Sequence, residues 1–229
     1  MQIFKIIFWI NYYFFLQDYI ASINFFFKKK SSCSGLSFSI LTADQVEQAL
    51  EDLARLRMTV FADWPYLYDG DEAYEARYLL NFSASPGAVI VAARDGNGRM
   101  VGAATGAPLS DHSEEFALPF ARIGLDPDAF FYLAESVLLP EYRGQGAGRQ
   151  FFEMREAAAR AQGFEHAVFA SVLRPDDHPA KPESYLALDS FWQRLGYEPY
   201  PSLLAEFSWR DIGETAESFK PLQVWGRDL

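Results

Sequence analysis

Between Leu139 and Gln150 the chain reads Pro140-Glu141-Tyr142-Arg143-Gly144-Gln145-Gly146-Ala147-Gly148-Arg149. Three glycines in five positions would weaken a helix start that had no ligand to accommodate. Between a strand and a helix they let backbone N–H groups converge beside a positive helix end, which favours an anion such as a pyrophosphate. Arg143 at the entrance can add charge-assisted hydrogen bonds. The spacing is neither Gly-x-x-x-x-Gly-Lys-Ser/Thr nor Gly-x-Gly-x-x-Gly, so two commoner phosphate loops are excluded. Arg143, Arg149, Arg155 and Arg160 fall within eighteen residues; Arg155 and Arg160 read as cations solvating a helix face.

A second group with chemistry is Glu135, the single acid within the apolar run Phe130–Leu139. Partial desolvation strengthens a carboxylate as a proton acceptor and suits it to general-base work. The alternative is a hydrogen bond from Glu135 to a neighbouring loop. Asp176-Asp177-His178 reads as a charged turn between Pro175 and Pro179, because no metal-ligand spacing or nucleophile accompanies it. His166 reads as a partnered strand histidine, and His112 sits in an acidic loop.

The elements around these groups follow from periodicity. Leu36–Leu41 alternates as a strand, and an amphipathic helix opens at Thr42 with Val46, Leu50, Leu53 and Leu56 on one face. A second helix fits Glu72–Phe82. Ala88–Ala93 and Met100–Gly106 form a hairpin about Asp95-Gly96-Asn97-Gly98. The stretch Asp111–Asp128 reads as irregular. Phe130–Leu139 is a buried strand, a helix runs to Gln162 with Gly163 after it, and Phe164–Leu173 is the next strand. A helix over Glu183–Leu195 and strands at Leu203–Trp209 and Pro221–Trp225 complete the order β-α-α-β-β-β-α-β-α-β-β, an α/β (α+β type) domain with one mixed sheet.

The 229 residues are half apolar or aromatic and 22% charged, which suits a globular domain. One cysteine, Cys33, excludes an intramolecular disulfide framework. The net charge of −11 argues against nonspecific nucleic-acid binding. That charge is uneven: residues 1–40 hold four of the six lysines against one aspartate, whereas the rest carries the acidic excess. The segment 1–35 is rich in Phe, Ile and Lys, and three readings of it stand: an upstream start translating AT-rich non-coding sequence, a membrane segment, or a secretory signal. Its best apolar run, Ile6–Leu16, is short for a span, and Tyr19-Ile20-Ala21-Ser22 is a poor cleavage site. The functional domain is therefore expected over 36–229.

The run Val137-Leu138-Leu139-Pro140-Glu141-Tyr142-Arg143-Gly144-Gln145-Gly146-Ala147-Gly148, with Arg143-x-x-Gly146-x-Gly148 at its heart, resembles the acyl-CoA-binding motif of the GNAT N-acetyltransferase superfamily, and the element order agrees from about Leu36 onward. The resemblance implies a mostly antiparallel GNAT-like sheet flanked by helices and acetyl-CoA as co-substrate, without a metal. It implies that backbone N–H groups of Gln145, Gly146, Ala147, Gly148 and Arg149 bind the pyrophosphate, with Arg143 and Gly144 at the same turn. Val137, Leu138 and Leu139 would pair with the pantetheine arm like an added strand, and the Leu138 N–H would serve as oxyanion donor. Glu135 stands near the position where such enzymes often carry a base. Phe191-Trp192-Gln193-Arg194-Leu195-Gly196-Tyr197 is similar to a family pattern in which a tyrosine protonates the departing thiolate, yet Trp192 occupies that place. Tyr185 is the substitute candidate, and Trp192 is expected to pack on cofactor or core.

The implied acceptor is a small-molecule or peptide amine, with the aromatic and acidic stretch Trp64–Glu72 beside it. That stretch reads equally as a helix connection capped by Asp71. A cytoplasmic location is expected, membrane attachment is not, and a homodimer is compatible. The rival reading, motivated by Trp192, is a non-catalytic CoA-binding or regulatory module. A further one, motivated only by residues 1–30, is a membrane-attached enzyme acting on envelope amines.

Overall fold

The computed structural model describes residues 20–25, 35–111 and 114–229, with the backbone alone at 114 and 115. The readings placed on residues 1–19 and 26–34, and on His112, fall outside the described residues. The elements are a short helix α1 over 20–25, β1 (Ser37–Ile40), α2 (Ala43–Gln48), α3 (Leu50–Phe61), α4 (Glu72–Ser83), β2 (Val89–Arg94) and β3 (Met100–Pro108). They continue with α5 (Glu114–Arg122), β4 (Phe130–Leu138), α6 (Ala147–Ala161), β5 (His166–Val172), α7 (Asp189–Arg194), β6 (Glu198–Trp209) and β7 (Ser218–Asp228). The sheet order is β1-β2-β3-β4-β5-β7-β6, and only β4 and β5 run parallel. This is the mixed sheet that the pattern predicts, mostly antiparallel as the resemblance implies.

Three local predictions are corrected. The helix opening at Thr42 breaks at Ala49, whose N–H is shared between the carbonyls of Gln45 and Val46, so α2 and α3 are separate. The irregular stretch contains α5 despite Pro119 inside it. Burial outweighs the lost backbone bond: Phe116 and Phe120, four residues apart, are fully buried, with Phe116 4.2 Å from the Tyr132 ring and Phe120 5.2 Å from that of Phe130. The last helix begins at Asp189, because Pro182–Tyr185 form a turn in which the Tyr185 N–H donates to the Pro182 carbonyl. Helix α1 packs on the body through Ile23, which is buried, and Asn24 exchanges side-chain hydrogen bonds with the Ile40 backbone at 2.8 and 3.2 Å. A cut at residue 35 would remove that contact.

Strand β4 carries an irregularity that shapes the site. Ala107 faces Tyr132 and Thr105 faces Glu135, so one residue of β3, Gly106, lies opposite two of β4, Leu133 and Ala134. This is a β-bulge. It lets Tyr132 and Glu135, three residues apart, face the same side of the sheet, since their partners are two apart on β3. A Cβ at Gly106 would lie 2.7 Å from the Phe131 ring, so the residue opposite the bulge has no room for a side chain.

Candidate active site

The parallel pairing of β4 with β5 covers only Phe130–Tyr132 against His166–Val168. Beyond it β5 stays with β7 to Val172, while β4 stays with β3 to Leu138, so the sheet splays open between β4 and β5. Burial records the same opening: Phe130–Leu133 are buried, whereas Ser136 is exposed and Ala134, Glu135 and Leu138 are half-buried. Leu139 donates its N–H to the Val101 carbonyl at 3.0 Å. Antiparallel alternation then turns the Val137 backbone toward β3 as well and leaves that of Leu138 facing the gap. The Leu138 carbonyl accepts from Arg143 Nε at 3.3 Å. Of the three residues expected to offer main-chain groups to a ligand, Leu138 faces the gap, and the N–H of Leu139 is already committed to β3.

At the open end of β4 the chain turns through Gly144 at φ +77° and Gly146 at φ +85° into α6. Those left-handed angles suit glycine, and a Cβ at either position would meet nothing within 4 Å. Gly146 is the N-cap and has no side-chain capping bond, and the first intrahelical bond runs from Gln150 N to Gly146 O. The N–H groups of Ala147, Gly148 and Arg149 thus stand in the uncapped first turn of a fifteen-residue helix that has no acid in that turn. Gly148 has a different use: a Cβ there would press on the Phe191 ring of α7 at 3.2 Å, so this glycine admits the neighbouring helix. Arg143 is half-exposed and reaches 4.0 Å from Asp63, at the far rim.

Glu135 is held by Arg57 of α3, which pairs with it and also with Glu75 of α4, the latter fully buried. Tyr78 donates to the other Glu135 oxygen at 3.4 Å, and the Arg57 guanidinium lies 4.4 Å from the Tyr78 ring centre and 5.1 Å from that of Phe61. Glu135 therefore contacts an ion pair between two helices rather than a neighbouring loop. Burial opposes the charge of Arg57, but Glu135, Tyr78 and Glu75 outweigh it and hold the guanidinium protonated beyond its ordinary range. Burial and nearby carboxylates also raise several tyrosines. Burial first and then Glu135 push Tyr66 up to about 12, and Tyr78 is raised by burial and Glu135. Burial followed by Glu75 raises Tyr68, burial raises Tyr132, and burial with Glu156 raises Tyr197.

A pH prediction follows. Each of these phenols binds its proton more tightly folded than unfolded, so their stabilisation is complete below pH 10. It is lost as pH rises from 10 through 12, where the unfolded chain releases protons that the fold retains. Absorbance titration at 295 nm is expected to show a delayed group of tyrosines that ionise together with alkaline unfolding. A single smooth transition near pH 10 in folded protein would contradict it.

The loop between α3 and α4 closes the site's other wall. Arg174, just past β5, donates to the carbonyls of Pro65 at 2.8 Å and Tyr66 at 2.7 Å, and pairs through both terminal nitrogens with buried Asp211. Lys220 joins Asp211 at 3.1 Å, and together the two cations hold that carboxyl below the usual range against the opposing effect of burial. Asp71 caps α4 through the Tyr74 N–H at 2.8 Å. The capped-connection reading of Trp64–Glu72 thus describes its local structure. The Trp64 ring lies tilted 5.0 Å from His178 and edge-on 6.1 Å from Tyr185. Tyr185 lies on the turn before α7, and burial and then Asp189 raise its phenol, so it stays protonated at neutral pH. Trp192 packs between Phe169 and Trp225, at 5.0 and 5.2 Å. Asp176 pairs with Lys181, and His166 with Asp228 at 2.8 Å. Among the described residues no group of three or more His, Cys, Asp or Glu is placed to hold a metal ion, and no helix is long and apolar enough to cross a membrane.

Sequence reasoning missed Arg57, Glu75, Tyr78 and Arg174, and it misplaced Arg155, which is buried rather than solvated. The available signal was position: Arg57 lies four residues from both Leu53 and Phe61, and Arg155 four from Phe151, each inside an apolar stripe. Arg160 is the partly exposed cation expected, 3.6 Å from Glu156.

A sheet splayed beside a glycine turn, with a half-buried carboxylate on the splayed strand, is the arrangement that the resemblance implies for an acyl-CoA enzyme. The acetyltransferase (GNAT) family profile matches residues 50–197, and the chain belongs to that family. No curated protein matches it in sequence. Among solved structures, ribosomal-protein-alanine N-acetyltransferase from Brucella melitensis is similar at 15% identity and TM-score 0.56, over 84% of this chain and 99% of that one. A GCN5-related N-acetyltransferase from Kribbella flavida aligns at 18% identity and TM-score 0.51, over 85% and 98%. An aminoglycoside 6'-N-acetyltransferase complexed with coenzyme A aligns at 16% and 0.51, over 83% and 96%. At these identities the likeness is one of fold.

Proposed function

We propose that the protein moves an acetyl group from acetyl-CoA directly to an amine, with residues 36–229 as the catalytic unit. The observation that carries this reading is the β4–β5 splay ending in an uncapped glycine turn. The open space around Gly144 and Gly146 and the donors of Ala147, Gly148 and Arg149 fit a diphosphate, and Arg143 can add charge. Coenzyme A in the structurally similar aminoglycoside enzyme supports the same occupant. The bound thioester would supply an activated carbonyl. An ammonium acceptor with a pKa of about 10.4 must first lose a proton, and Glu135 accepts it, directly or through water. The nitrogen then forms the new C–N bond while the Leu138 N–H steadies the carbonyl oxygen. As the C–S bond breaks, the Tyr185 hydroxyl gives its proton to the leaving sulfur; the second proton that the nitrogen sheds as the amide forms passes through water to the Tyr185 phenolate, and protonated Glu135 releases its own to solvent. The acidic and aromatic loop Trp64–Glu72 suits a cationic acceptor, of small-molecule or peptide type.

The packing of half-buried Trp192 against the core aromatics Phe169 and Trp225, in the place of the expected tyrosine, favours one second reading, a CoA-binding module without turnover. The full chain with acetyl-CoA and a panel of amines decides between them. Micromolar CoA binding by calorimetry together with amine-dependent thiol release is the expected result. Binding without release would establish the module, and no binding would overturn both.

A further inference from the structure

Arg155 is among the largest fully buried side chains of the protein, and neither cofactor nor acceptor binding as described uses it. It projects from α6, the helix whose first turn follows the glycines. Its Nη1 donates to the carbonyls of both Thr105 and Glu135 at 2.9 Å, its Nη2 to Ser136 Oγ at 2.8 Å, and its Nε to the Phe151 carbonyl at 3.1 Å. Thr105 and Glu135 form the pair that borders the bulge. Burying a guanidinium is costly unless its donors are met, and here the acceptors are main-chain oxygens at the edge of an irregular ladder. Ser136 and Glu135 are adjacent on β4, so their side chains point to opposite faces. Arg155 therefore grips the strand from the face opposite Arg57, which holds the Glu135 carboxylate.

We infer that Arg155 is a positioning residue for acetyl transfer: it ties α6 to the bulged strand and so fixes Glu135 and the Leu138 backbone relative to the glycine turn. This inference rests on the transfer reading above. Lysine cannot reproduce it, because an ammonium lacks the planar fork that spans several carbonyls. The carrier's diphosphate would be bound by the turn itself, so loss of Arg155 is expected to disturb the reacting strand more than the affinity for the carrier.

The test uses the full chain carrying Arg155→Met or Arg155→Lys, assayed well below each variant's Tm. Expected for Arg155→Met is a fall in kcat of about 30-fold with the calorimetric Kd for CoA within about threefold, since small displacements of reacting groups cost rate steeply. Arg155→Lys is expected to fall between it and the parent. A kcat within twofold of the parent in both variants, or a loss of kcat and CoA affinity in equal proportion, would overturn the inference. A second readout needs no turnover. Hydrogen–deuterium exchange is expected to accelerate in peptides covering 130–138 while those covering 150–161 keep their protection, and unchanged exchange at 130–138 would refute the positioning role. Should Arg155→Met not fold, Arg155→Lys and Ser136→Ala carry the same two measurements. An inactive parent with normal exchange behaviour would count against the transfer reading and leave the strand-fixing role standing.

Discussion

Glu135→Gln is expected to lower kcat by about 100-fold at pH 7, within the range for losing a general base, while CoA affinity changes by less than about threefold. The fold should tolerate the change, because Arg57 keeps its pairing with buried Glu75 and the amide still accepts a hydrogen bond. The deficit should shrink as pH approaches about 10.4, where an alkylamine acceptor sheds its own proton. In the variant, log kcat/KM should then climb with a slope near one across the neutral range. Steady-state rates from pH 6 to 10 with acetyl-CoA and an active amine check this. A variant whose pH–rate profile overlays the parent's would remove Glu135 from the chemistry and leave it as a partner of Arg57.

Gly146→Val is expected to weaken CoA binding by about 100-fold or more, about 2.7 kcal/mol, and to abolish transfer at micromolar carrier. Two causes act together. The backbone at φ +85° is one that a β-branched residue adopts only under strain, and the new side chain enters the space between the N–H groups that would meet the diphosphate. Gly148→Ala makes the contrast, since its methyl meets Phe191 of α7 and should lower Tm more than affinity. Calorimetry and thermal unfolding on both proteins separate the two effects. Unimpaired binding by Gly146→Val would mean that the diphosphate, if bound at all, lies elsewhere.

What sequence could reveal was the part written locally. The strand Phe130–Leu138, the glycine turn and the start of α6 follow from a run of eighteen adjacent residues, and a turn needs no distant partner to be recognised. The bulge at Leu133 and Ala134 was hidden because the strand is apolar from Phe130 to Ala134 and so has no alternation there to break. Arg57 and Arg155 were hidden for a related reason. An arginine in a helix is solvated far more often than buried, and only the register of distant strands shows which carbonyls await it. Helix α5 was masked by Pro119, whose local cost was outweighed by the rings of Phe130 and Tyr132 on β4 and of Phe207, far along the chain. Tyr185 lies before the helix that the apolar spacing predicts, because its N–H closes a turn on the Pro182 carbonyl and α7 starts only at Asp189.

The seam of three paired residues between β4 and β5 has a mechanical consequence. Below it the molecule is one continuous fabric, and above it there are two leaves, one of β1 to β4 and one of β5 to β7, stitched together there by the α3–α4 loop, whose Pro65 and Tyr66 carbonyls are held by Arg174. A carrier laced along Leu138 would supply the missing rungs, so the loaded protein should be stiffer across that line than the empty one.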